Sequence, residues 1–352
     1  MKAILLAGGQ GTRLRPLTLQ TPKPVVPIFD RPFLQYQIDR LRALPEVDEV
    51  VLSLNYQPER IEAVFGDGSA SGVRLRYVVE PRPLGTGGAI KFAAGDTRGE
   101  PILVFNGDVF TSVDLAALLR LHRERRARAT IVLTPVENPA AYGLVETEPD
   151  GRVRAFVEKP SPDAIRCNTI NAGIYVLEPE TLDRIPADTV FSIERGYFPS
   201  LIADREPFIA HVSDGYWIDI GTPAKYRQAH ADIMDGRFVA APFAGRAGQS
   251  VIAADATIDP TAAVEAPCFI GAGARVAAGA RIGAYSVVGA GCRIGERAAI
   301  AGAILWPGTT VGADARIGAS LAGHDCRFDA AVEVGVDRVF GDGSIVTEYS
   351  RA

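Results

Sequence analysis

Two periodicities share this chain. Up to about residue 235, short apolar runs alternate with amphipathic stretches, and from residue 250 aliphatic side chains recur every six residues. In the first part, apolar runs bounded by turn formers predict buried strands at 3–7, 50–54, 75–79, 102–105, 130–134 and 174–177. Apolar positions spaced three and four apart predict helices at 33–44, 58–65, 87–94, 114–128 and 223–234. Strands alternating with helices in this way build an α/β domain, expected here as a Rossmann-like, mainly parallel sheet with helices on both faces over residues 1–235.

The stretch 236–249, GRFVAAPFAGRAGQ, follows neither period and reads as a linker. Beyond it Ile252, Ile258, Val264, Ile270, Val276, Ile282, Val288, Ile294 and Ile300 stand at six-residue steps. Four places after each of the first eight comes a small residue: Ala256, Ala262, Cys268, Ala274, Ala280, Ser286, Cys292 and Ala298. A hexapeptide repeat of this kind encodes a parallel β-helix over 250–352, with one aliphatic side chain per face filling the coil and a small one fitting the tight position beside it. The phase slips around 303–310 and resumes at Val311 and Ile317. Flat coil faces and an exposed end suit pairing with a second copy, so a homo-oligomer formed through this domain is expected. His324 is the only histidine of the coil, and a lone His there reads as a loop or interface residue rather than a base for acyl transfer.

Composition narrows the function. A formal net charge of -5 gives no general attraction to nucleic acid or anionic membranes, so any phosphate binding must come from a local cluster. The four cysteines, Cys167, Cys268, Cys292 and Cys326, form no CxxC pair, which argues against zinc and for small packing residues in a reducing compartment. The first apolar run is too short for a signal-peptide core and no later one reaches the length of a membrane span, so a cytoplasmic protein is expected.

The candidate chemistry starts where the first strand, ending in Leu6 and Ala7, enters GGQGTRLRPLT and then TPKPVVP. Gly8, Gly9 and Gly11 allow close backbone approach to an anion, and Arg13 and Lys23 add full charges. The phosphate loop GxxxxGK[ST] is excluded because Thr12 follows Gly11, and the dinucleotide fingerprint GxGxxG fails because its last position is Leu14. Asp108, in ILVFNGD, lies just past a buried strand, and Asp219, in GYWIDIGTP, precedes a helix start at Thr222-Pro223. Carboxylates at strand ends suit Mg²⁺, yet each Asp reads equally as a turn or cap residue. The basic run RERRARA at 123–129 ends a helix and reads as a solvated face.

The composite GGxGTRLxPLTxxxPKPxxP resembles the signature of the sugar-1-phosphate nucleotidyltransferases, or nucleotide-sugar pyrophosphorylases, with its spacing intact from Gly8 to Pro27. Further motifs follow in that family's order. The resemblance implies a nucleotide-diphospho-sugar transferase fold carrying a left-handed coil, with a nucleoside triphosphate and a sugar 1-phosphate as partners and Mg²⁺ as cofactor. It implies that Leu6, Ala7, Gly8, Gly9, Gly11 and Thr12 bind the nucleotide, with Gly8 to Thr12 cradling the triphosphate and Arg13, Lys23 and Asp108 catalytic. In PLGTGGA, Gly85 and Thr86 resemble the base- and ribose-holding loop, with Glu80 before it at a base- or sugar-contacting position. Gly143 of AYGLV, Glu158 and Lys159 of FVEKP and Asn171 of INAGIYV resemble sugar-phosphate contacts. Asp108 and Asp219 match the metal carboxylates. Domain arrangement and FSIERGYFPSLI resemble mannose-1-phosphate guanylyltransferases most closely, while thymidylyl-, uridylyl- and adenylyltransferases share nearly every motif. A non-catalytic nucleotide-sugar-binding subunit is the alternative class; such relatives tend to lose a loop cation or a metal Asp, and here Arg13, Lys23, Asp108 and Asp219 are all present.

Overall fold

The apolar runs of the first part become strands in the computed structural model, which describes residues 1–158, 161, 163 and 165–350. They are β1 (Lys2–Leu6), β2 (Glu49–Leu54), β3 (Leu75–Val79), β4 (Ile102–Asn106), β5 (Ala129–Pro135), β6 (Gly143–Thr147), β7 (Val153–Glu158), β8 (Thr169–Leu177) and β9 (Phe208–Val212). All belong to one sheet of order β7-β6-β8-β4-β1-β2-β3, with β5 pairing both β8 and β9. The half built from β1 to β4 is parallel, as its continuous apolar runs predict. The other half is mixed: β8 runs antiparallel to β4, β5 and β6, β6 and β7 form an antiparallel pair, and β9 joins β5 in parallel. The expectation of a mainly parallel sheet therefore holds only for the first half. The sequence pattern passed over β6, β7 and β9 because polar residues interrupt their apolar runs, as in VRAFVE of the half-exposed β7.

The helices are α1 (Phe33–Arg42), α2 (Pro58–Phe65), α3 (Gly85–Ala94), α4 (Leu115–Glu124), α5 (Phe198–Ala203) and α6 (Pro223–Met234). Helix α4 starts at its Asp114 cap, whose side chain accepts from Ala117 N at 2.9 Å, and stops four residues short of the expected 128. Arg126 turns to φ 44°, and the rest of RERRARA leads into β5, with Arg123 paired to Glu46. The core under the sheet gathers Ile4, Val51, Val104, Ile131 and Tyr175 with Phe198 and Phe208, whose rings stack at 5.0 Å.

By compactness the chain forms two units, Met1–Gly9 with Leu34–Trp217, and Gln10–Phe33 with Ile218–Ala352. This grouping differs from the division by periodicity, since the signature segment 10–33 and helix α6 go with the coil. The coil itself is three parallel columns of two-residue strands. Register advances by eighteen residues per turn, as in Val251↔Phe269 and Phe269↔Val287, then by seventeen in Val287↔Ile304 and Ile304↔Leu321, then by eighteen again in Leu321↔Val339. Two one-residue deletions are therefore present. The second escaped the sequence pattern because Ala322 takes the inward aliphatic place. Ile270, Ile282, Val288 and Ile300 fill the coil, and Cys268, Ala274, Ala280, Ser286, Cys292 and Ala298 are all fully buried beside them. Ile252, at the open first turn, is 43% exposed. The 236–249 stretch is anchored: Phe243 is buried with its ring 5.0 Å from Phe29, and Gly248 N donates to Met234 O at 2.8 Å. Among the described residues no helix is long and apolar enough to cross a membrane.

Candidate active site

In the sheet unit, the residues singled out from sequence gather at the carboxyl ends of β1, β2 and β4, where ligands of open α/β sheets bind. Leu6 closes β1, and the Ala7 amide continues its pairing by donating to Ser53 O at 2.9 Å, so that donor serves the sheet. Gly8 lies against β2: a Cβ there would meet Asn55 N at 3.0 Å, while one on the exposed Gly9 would meet nothing. The turn after β4 fits the same edge. Gly107 N donates to Leu6 O at 2.9 Å, and a Cβ on Gly107 would stand 2.4 Å from that oxygen, so glycine is what lets half-buried Asp108 follow so closely on the end of β1. Buried Gln37 staples this turn, donating to Asn106 O at 2.9 Å and Val109 O at 2.8 Å on either side of Asp108.

The NGD and INAG motifs meet across the β4–β8 pairing. Asn171 Nδ2 donates to the buried Tyr175 hydroxyl at 2.9 Å, and Asn106 bonds the same phenol, whose pKa burial pushes up. Gly173 sits at φ 76° in the register shift between Asn171 and Tyr175, and a Cβ there would meet Asn106 Nδ2 at 2.7 Å. Gly143 pairs with Glu158 across β6 and β7, where a Cβ would meet Glu158 Oε2 at 2.8 Å. Trp217 joins these pieces, its Nε1 donating to Ala172 O at 2.9 Å and its ring standing edge-on to Tyr142 at 5.6 Å. Lys159 lies outside the described residues.

The PLGTGGA loop takes a form the sequence did not announce. Gly87 N and Gly88 N donate to Phe191 O at 2.9 and 3.1 Å, and a Cβ on Gly85 or Gly88 would meet Phe191 O at 2.8 Å or Thr189 O at 2.6 Å. These glycines are required by close packing against the FSIERG segment, and two of their amides are already engaged there. The Thr86 hydroxyl donates to Glu194 Oε2 at 2.7 Å and accepts from Ile193 N at 3.0 Å. Glu80 is buried, accepting from Leu84 N at 2.9 Å and from the Ser53 hydroxyl at 3.2 Å, so its carboxylate closes the loop.

The remaining residues belong to the coil unit. Gly11, at φ 61°, caps a 3-10 turn, Thr12–Leu14, and its carbonyl accepts from Leu14 N at 2.9 Å and from the Thr18 hydroxyl at 2.8 Å. Thr12 and Arg13 are exposed, and half-buried Lys23 opens a second 3-10 turn, Lys23–Val25. Arg13 and Asp219 converge at Gly221: a Cβ there would lie 2.6 Å from both Arg13 Nη2 and Asp219 Oδ1. Asp219 Oδ1 accepts from Gly221 N at 3.0 Å, the turn role its sequence also allowed, and Oδ2 pairs with Lys225. Lys225 was missed from sequence. Its one signal is its place three residues after the Thr222 cap, whose hydroxyl accepts from Lys225 N at 3.3 Å and turns that residue back toward Asp219. Gln37, Glu194 and Trp217 were missed too, because the pairings that matter join distant parts of the chain.

The donors offered by Asp108 and Asp219 are hard carboxylate oxygens, which suit Mg²⁺. Among the described residues no three His, Cys, Asp or Glu side chains gather into a cage.

Comparison with known proteins agrees with these motifs. Residues 2–236 match the nucleotidyl transferase family and residues 264–350 the GMPPB C-terminal domain. The chain is 40% identical to a mannose-1-phosphate guanylyltransferase of Mycobacterium tuberculosis over 310 residues, covering 88% of this chain and 80% of that protein. It is 36% identical to mannose-1-phosphate guanylyltransferase 1 of Arabidopsis thaliana over 360 aligned positions, covering 99% of this chain and 96% of that protein. A crystal structure of HddC from Yersinia pseudotuberculosis complexed with GMP-PN aligns with 66% of this chain and 99% of its own, at 31% identity and a TM-score of 0.55. Signature, sheet and sequence likeness converge, and the chain belongs to the nucleotidyl transferase family.

Proposed function

We propose that this chain condenses GTP with mannose 1-phosphate to give GDP-mannose and pyrophosphate. The observation that carries the reading is the 40% identity to the Mycobacterium tuberculosis mannose-1-phosphate guanylyltransferase across 80% of its length. The HddC structure, named as a complex with GMP-PN, supports the guanine base.

A sugar-phosphate oxygen attacks the α-phosphorus of GTP in line, a new P–O bond forms, and the bond between α- and β-phosphates breaks as pyrophosphate leaves. The attacking oxygen is ionised at neutral pH, so no side-chain nucleophile or base is needed and catalysis rests on positioning and charge. Each pair of phosphate charges at 4 Å repels by about 4 kcal/mol at an effective dielectric of 20. Arg13 and Lys23 offset that charge on the departing pyrophosphate, and Gly8 to Thr12 present backbone to the triphosphate. Gly85 and Thr86 face the nucleoside, while Gly143, Glu158 and Asn171 hold the sugar and Lys159 its phosphate. Asp108 and Asp219 would hold Mg²⁺, which withdraws charge from the α-phosphate oxygens when bound. A cytoplasmic location and assembly through the coil complete the proposal.

Pyrophosphate release measured for five nucleoside triphosphates against mannose, glucose and N-acetylglucosamine 1-phosphates tests it. GTP with mannose 1-phosphate is expected to dominate. Lys23→Ala and Asp108→Asn are each expected to cut turnover by roughly two to four orders of magnitude with folding preserved. Wild-type turnover in both variants overturns the roles, and preference for another pair overturns the substrate assignment.

A further inference from the structure

The segment 10–33 carries both proposed catalytic cations, and its regular structure is short. It consists of two three-residue 3-10 turns and a two-residue hairpin, Pro27–Ile28 with Arg31–Pro32, and its local amide bonds span three residues, as in Leu17 N to Leu14 O and Val26 N to Lys23 O. Turns this short do not persist unaided, because each fixes several dihedrals for one hydrogen bond.

The coil and helix α6 hold the segment on both sides of Lys23. Before it, the buried Thr21 hydroxyl donates to Asp342 Oδ2 at 2.8 Å, while Asp342 Oδ1 accepts from His324 N at 2.9 Å, so one carboxylate ties the last coil turns to the segment. Gly341 lies against Pro16, where a Cβ would approach Pro16 Cβ and its carbonyl oxygen to 3.2 Å. After Lys23, Tyr226 donates to Pro27 O and accepts from Trp306 Nε1 at 2.9 Å, and Asp30 Oδ1 accepts from Ala290 N at 3.0 Å. Phe29 is buried against Phe269 at 5.2 Å between ring centres.

We propose that the coil is a working part of the transfer site and that Asp342, through Thr21, is a positioning residue for Arg13 and Lys23. This rests on the nucleotidyl-transfer reading above. His324, read from sequence as a loop or interface residue, takes part in this contact: its amide donates to Asp342 and its ring packs on Trp306 at 5.1 Å.

The test uses the full chain with Asp342→Ala, Asp342→Asn, Thr21→Val and Thr21→Ser. Turnover is read by pyrophosphate release and protection of the 11–26 amides by hydrogen exchange. Asp342→Ala and Thr21→Val are expected to lower kcat at least tenfold, with the double variant no worse than either single. Exchange at 11–26 is expected to quicken about tenfold while the coil strands stay protected. Asn at 342 still accepts from His324 N and still bonds Thr21, and Ser at 21 keeps the hydroxyl, so both are expected to stay within about threefold of wild type. Unchanged exchange in Asp342→Ala and Thr21→Val overturns the proposal whatever the activity, as does a fall in kcat that the conservative variants share. Should Asp342→Ala loosen the whole coil, Thr21→Val decides alone, since it lies outside the coil. A wild-type chain that releases no pyrophosphate from any substrate pair refutes the proposed function, and the exchange measurement still decides whether Asp342 holds the segment.

Discussion

Gly107 and Gly221 both stand beside a proposed metal carboxylate, and they differ in what crowds them. A methyl on Gly107 meets the carbonyl oxygen of Leu6 at 2.4 Å, and that oxygen belongs to a central strand that cannot yield. Gly107→Ala is therefore expected to cost roughly 1–3 kcal/mol of stability, read as a lower denaturant midpoint, and to lower activity with it. A methyl on Gly221 meets Arg13 Nη2, the end of a long exposed side chain that can swing aside, and Asp219 Oδ1, a side-chain atom rather than strand backbone. Gly221→Ala is expected to leave the midpoint within about 0.5 kcal/mol of wild type while turnover falls roughly tenfold to a hundredfold, because a displacement near 1 Å suffices for that loss. Equal loss of stability in both variants would show that Arg13 is not free to move. The motifs carrying these glycines were legible in the sequence. The reason for the glycines in PLGTGGA was not, since the atoms that exclude a side chain there belong to Thr189 and Phe191.

Helix α6 shows how an element can be read correctly while its duties stay hidden. Its bounds and Thr222 cap match the sequence expectation, but its buried face serves the signature segment. His230 Nδ1 donates to Tyr226 O at 2.9 Å and Nε2 accepts from Phe29 N at 3.2 Å, which fixes a neutral ring between Phe29 and Tyr226. Burial pushes its pKa down from 6.5 to about 4. Between those values the unfolded chain binds more protons than the folded one, so stability rises with pH through the window and is lost as pH falls through it. The loss amounts to about 3 kcal/mol, an order-of-magnitude figure. Urea midpoints from pH 7 to 4.5 are expected to fall, and His230→Gln is expected to flatten that slope. A slope unchanged by the substitution would assign the acid sensitivity elsewhere.

For the whole molecule, the coil is a stack in which each strand pairs with the turns before and after it, and its small positions are sealed inside it. Burial pushes the Cys292 thiol up to about 12 and that of Cys326 to about 11. Mild alkylation at pH 8 is expected to modify half-buried Cys167 in the folded chain and all four thiols in guanidinium. Labelling of Cys292 in the native protein would mean that the coil opens. The sequence by itself determined the strands of the parallel half, the helices other than α5 and the repeat of the coil, because each period reports which side chains leave water, and burial dominates local folding. It also displayed the residues of the transfer chemistry, because their backbone and charge requirements leave dense local motifs. Tertiary structure alone decided which partners those residues keep. Thr86 with Glu194 and Thr21 with Asp342 lie 108 and 321 residues apart. Single polar pairs at such separations have no period and almost no compositional trace, so they exist only once packing has brought them within a hydrogen bond.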